Sequence, residues 1–188
     1  MINNLKNLEK FNQNQIKSVN NSVAMAEELV SNFYKLSANQ WLRHRYDVKT
    51  LADLSPDEIV HGPFAQIIRY EGQRKDTSLG SSTFDFYKIC LQDYSILSVV
   101  KQSPGIKLFP FTLYIVIHEL IHIVRFSKFL QNFDASDEEK MVEETRVHKN
   151  THEILNNLRI SGLSNVLRFY DKWRRPLDKM RNTYLMNS

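Results

Sequence analysis

Residues 108–126 read L-F-P-F-T-L-Y-I-V-I-H-E-L-I-H-I-V-R-F, and they constrain the fold more than any other stretch. A run this apolar has to be buried, yet His118, Glu119 and His122 sit in its middle. Burying three polar groups costs several kcal/mol unless each finds a partner. Whatever packs against this segment must therefore bring polar chemistry with it. The run approaches the length of a bilayer span, but His118, Glu119, His122 and Arg125 interrupt it and no second span accompanies it. It reads as the buried helix of a soluble protein, opened by Pro110 and continuing to about residue 133.

Around that helix the rest of the chain also reads as helical. Ser22 can cap a helix that carries Val23, Ala26, Leu29, Val30, Phe33 and Leu36 at helical spacing. S-P-D-E at 55–58 combines a capping serine, a first-turn proline and a third-position glutamate, and Gly62-Pro63 keeps that element short. A helix is expected from about Ser82 to Lys101. Asp134-Ala135 turns the chain, and a second capping box, Ser136 with Glu139, opens a helix to about Leu158. Leu163 to Trp173 makes a last amphipathic helix. The expected fold is mainly α, a bundle of five to seven helices with room for one short β element around 64–70. Only five Gly and five Pro in 188 residues argue against a turn-rich β-sandwich or barrel. Residues 1–20 are expected to form a weakly ordered N-terminal segment, and 21–188 a single helical metal-binding domain.

Charge and cysteine usage narrow the function classes. The formal net charge of +4 is too small to imply nucleic acid, and the basic residues Lys172, Arg174, Arg175, Lys179 and Arg181 read as a solvated terminal helix. Cys90 is the sole cysteine, so no disulfide framework and no cysteine-rich zinc module can form within the chain. A reducing compartment suits this, and M-I-N-N-L-K-N-L-E-K lacks the apolar core of a signal peptide, so the expected location is the cytoplasm.

On a helix His118 and His122 project together, one turn apart, and can hold one metal ion from a single rod. Glu119 lies one position round, where a carboxylate can take a proton from a metal-bound water; this is the mechanical content of H-E-x-x-H. With six His and eleven Glu in the chain, the motif arises by chance about once in a hundred such sequences. The competing reading is two core histidines satisfied by hydrogen bonds, with Glu119 paired to Arg125 or another cation. A further ligand is offered by E-E-T-R-V-H-K-N-T-H at 143–152, where Glu144, His148 and His152 follow at intervals of four on the side that carries Met141 and Leu155. Glu143 lies on a neighbouring face and ranks second. A short turn makes the two helices antiparallel neighbours; His122 and Glu144 then lie about twelve and ten residues from its centre, depths differing by about 3 Å.

V-I-H-E-L-I-H-I-V resembles the active-site helix of the zincin metallopeptidases. The metzincin branch is excluded, because Arg125 and Lys128 stand where it needs Gly and His. The gluzincin branch takes a Glu from a following helix, and Glu143 and Glu144 fall at that distance. The resemblance implies that the residue four beyond the Glu buttresses a ligand; from Glu144 this is His148, where the family usually has Asp. It covers about residues 114–152. It also implies a β-sheet whose edge strand holds the substrate, for which Phe64–Tyr70 is the one candidate.

The expectation is a zinc-dependent hydrolase of peptides or other small amides. Zinc is held by His118, His122 and Glu144, with His148 as a further ligand or catalytic donor, and Glu119 is the general base. His148, His152 or Tyr114 would stabilise the oxyanion. Two alternatives stand beside it. One is a non-haem iron bundle using Glu119 and His122 with Glu144 and His148, and carboxylates from Glu27, Glu28 or Asp93. The other is a binding or structural protein whose metal ties two helices together. Trp41, His44, Arg45 and Tyr46 could line a pocket, the loop 71–82 could form a lid, His61 reads as a turn residue, and Cys90 as an inert core thiol.

Overall fold

The computed structural model describes residues 8–37, 45–73, 83–128 and 136–171. These contain five α-helices and one three-stranded sheet, a mainly α fold with a short β element. The first helix, α1, spans Gln13–Tyr34 and starts earlier than its sequence suggests. Asn12 and Gln15 form a reciprocal capping box, which satisfies the orphan N–H groups there. Ser22 instead lies buried in mid-helix, its hydroxyl donating to the Val19 carbonyl at 2.7 Å. Val19, Ala26 and Val30 share the buried face. Strand β1, Arg45–Lys49, follows. Two 3₁₀ turns, Leu51–Asp53 and Pro56–Glu58, come next; the second carries the capping box of S-P-D-E.

The sheet is larger than the sequence suggested. β2 spans Ala65–Gln73 and β3 Thr83–Leu91, in the order β1-β3-β2, with β1 parallel and β2 antiparallel to the central β3. The expected helix over 82–101 is therefore corrected: a strand occupies its first half, and α2 spans Asp93–Gln102. The physical reason lies in T-F-D-F-Y-K-I-C-L, which is rich in aromatic residues and lets Tyr87, Ile89 and Leu91 point alternately into the core. The aromatic residues also fit a helical spacing, but strand pairing on both sides decides the outcome.

Helix α3, Leu108–Ser127, is the core. It is buried almost all round, against α1 along much of its length and against α2, β2, α4 and α5. By length and composition it could cross a bilayer, but most of its surface is buried within this fold. Helix α4, Asp137–Leu155, opens with the expected Ser136–Glu139 capping box. The last helix, α5, spans Leu163–Phe169 behind Gly162, whose φ of 87° suits glycine. The turn at Asp134-Ala135, Trp41 and His44, most of the loop at 71–82 and the terminal basic cluster lie outside the described residues.

Candidate metal centre

His118 and His122 leave the same side of α3, and Glu144 meets them from α4. Glu144 Oε2 lies 3.1 Å from His118 Nε2, and its Oε1 lies 3.0 Å from His122 Nε2. The two Nε2 atoms are 3.2 Å apart. Three donors bound at ~2.05 Å around a tetrahedral ion stand ~3.3 Å from one another, so this triangle has the size of one face of such a site. The donor chemistry fits as well. Two imidazole nitrogens and a carboxylate turned on one another need shared protons to avoid lone-pair repulsion, and one cation satisfies all three. His118 is buried and hydrogen-bonds through Nε2 alone, its Nδ1 having no partner among the described residues. Its polar capacity is directed at the triad.

The electrostatics are consistent with that grouping. Partial desolvation pushes the Glu144 carboxyl up, but hydrogen bonds from His118 and His122 win and hold it well below the ordinary carboxylate range. Glu119 shifts the other way. Burial raises its pKa, against the pull of His118 and His122, and the nearby Glu144 carboxylate adds to the rise. Glu119 lines the cleft beside the triad without joining it.

His148, one turn beyond Glu144, packs its ring 4.4 Å from that of His118. Its Nδ1 meets the Tyr114 hydroxyl at 2.9 Å. His118, Glu144 and His148 also offer ligand atoms within 4.8 Å of one another. His148 is therefore a further member of the cluster, beside the triad.

The cluster opens into a cleft of about 780 Å³. α3 forms its floor, α4 one wall and residues 62–67 the other, and Tyr114 and Tyr170 close one end. These two rings stack at 3.9 Å with 3° between their planes. The edge of β2 matters here. The Gln92 N–H bonds the Phe64 carbonyl at 2.8 Å, continuing the β2–β3 register, so residues 66 and 68 exchange hydrogen bonds with β3. The backbone groups of Ala65 and Ile67 then point away from β3, on the side where both residues line the cleft.

Other candidates fall elsewhere. Glu143 turns from the triad and pairs with Arg125, so Arg125 does not partner Glu119. His152 does not line the cleft. Glu27 accepts from the Tyr46 hydroxyl, and Asp93 accepts the N–H groups of Phe11 and Leu51. Neither lines the cleft, nor does the exposed Glu28, so none of the three carboxylates offered for an iron bundle reaches the site. His61 meets the Tyr94 hydroxyl at an exposed turn. Cys90 is buried, which pushes its thiol up to about 11 and keeps it unreactive. Sequence reasoning missed Tyr170, which carries no signal beyond being aromatic in an amphipathic helix. Comparison with known families, with curated proteins and with solved structures finds no significant match for this chain.

Proposed function

We propose that this chain is a zinc-dependent hydrolase of peptides, built on the gluzincin-like plan that its motif resembles. The observation that carries the reading is the convergence of His118, His122 and Glu144 at 3.0–3.2 Å, with Glu119 beside them in an open cleft. A zinc ion held by those three residues would supply Lewis-acid chemistry, polarising a carbonyl and acidifying water. Glu119, whose burial raises its proton affinity, takes the proton from the attacking water and returns it to the leaving nitrogen. The outward backbone groups of Ala65 and Ile67 suit an extended peptide laid along β2. His148, whose Nδ1 meets the Tyr114 hydroxyl, lines the same cleft and is the candidate donor to developing negative charge.

The test is Glu119→Gln. Zinc content should match wild type, while hydrolysis of a mixed peptide library should vanish. Unchanged hydrolysis removes Glu119 as the base and overturns the mechanism. A second reading is a closed structural site with His148 as fourth ligand, favoured by the His118–Glu144–His148 grouping. It expects no hydrolysis by wild type and a loss of zinc affinity in His148→Ala.

A further inference from the structure

We propose that the buried Arg125–Glu143 ion pair is the positioning device of this centre, setting the rotation and register of α4 that place Glu144 against His118 and His122. The inference rests on reading the triad as a metal site. Arg125 is one turn beyond His122 on α3, and Glu143 immediately precedes Glu144 on α4. Both are buried, at 8% and 5% exposure. Their contact is a fork: the guanidinium Nε donates to Oε1, and Nη2 donates to Oε2 at 3.1 Å. A two-point contact fixes direction as well as distance. Successive helical residues project about 100° apart, so fixing Glu143 toward Arg125 also fixes where Glu144 points. Arg146 Nη1 holds Oε2 from the other side at 2.8 Å, and Tyr34 of α1 hydrogen-bonds the guanidinium. The ion pair is thus held from three helices, α1 through the guanidinium and α3 and α4 through the carboxylate.

The rest of α4 offers no substitute near the site. Residues 136–142 are exposed, Met141 and Val142 included, and Glu143 is the first buried side chain of the helix. The apolar anchors, Val147 and Leu155, come later. Without the ion pair, the half of α4 that leads to Glu144 has no buried hold on α3. Buried ion pairs contribute little net stability compared with apolar residues of similar size, which makes orientation the better account of this one.

Zinc affinity of the full chain, measured by competition with a chromophoric chelator, tests this alongside thermal melting without metal. The double variant R125L/E143M should melt cooperatively near the wild-type temperature yet bind zinc at least about tenfold more weakly. R146A, which leaves the fork intact, should bind within about twofold of wild type. Wild-type affinity in the double variant overturns the positioning role and leaves the metal site standing. Failure of wild type itself to bind zinc overturns the metal reading, and this proposal with it. If the double variant does not fold, R125K decides, because it keeps the charge and loses the fork: wild-type zinc affinity there overturns the proposal, and a clear loss at unchanged melting temperature supports it.

Discussion

Two adjacent carboxylates on α4 meet opposite environments. Glu143 is buried in an arginine fork, while the Glu144 side chain is 51% exposed and turned on two imidazoles. Their separate fates give a direct prediction: Glu144→Gln should strip zinc from the purified protein to background by elemental analysis, with the melting temperature of the metal-free form little changed. Another prediction concerns Glu58. Hydrogen bonds from Lys88 and from the Ser55 N–H hold its carboxyl at about 2, below the ordinary 4.5. Because the folded-state value is lowered, its stabilisation is full above about pH 4.5 and fades as pH falls toward 2. The gap in melting temperature between wild type and Glu58→Gln should therefore narrow across that interval. At this scale H-E-x-x-H was legible because two imidazoles in an apolar run have few uses. The choice of Glu144 over Glu143 was only ranked, since one residue of helix rotation separates them and a long-range partner, Arg125, holds that rotation.

At the scale of elements, α3 carries the fold. Ile121 is fully buried one residue from His122. Ile121→Ala should cost about 2–5 kcal/mol in chemical denaturation, the range for deleting a large aliphatic side chain from a packed core. β2 yields a sharper test of substrate binding. Ala65→Pro removes an N–H that points away from β3, a position where an edge strand tolerates proline. Folding should persist, while KM for a peptide rises roughly fivefold, the equivalent of one hydrogen bond of about 1 kcal/mol. The capping boxes at Ser136 and Ser55 were legible, whereas the Asn12–Gln15 box that opens α1 was not. β3 was not, because aromatic residues between Phe84 and Leu91 satisfy a helical spacing as well as an alternating one. What separates the two is pairing with β1 and β2, which are distant in sequence.

Across the whole molecule, a small sheet and five helices surround one long apolar rod, and the polar cluster sits where α3, α4 and β2 meet. A metal held there would bind only the folded chain, so the folded state would gain RT ln(1 + [L]/Kd), about 2.7 kcal/mol at a hundredfold excess over Kd. Chelation should lower the melting temperature of wild type and leave that of His118→Ala unmoved, as followed by scanning calorimetry. The asymmetry of the triad has a kinetic consequence. Its imidazoles belong to the most deeply packed helix, whereas its carboxylate side chain is half open to solvent. An arriving ion would find the nitrogens already in place and be captured last by the oxygen, and it would leave by the reverse route. Exchange with the surroundings should accordingly be fast on the timescale of unfolding.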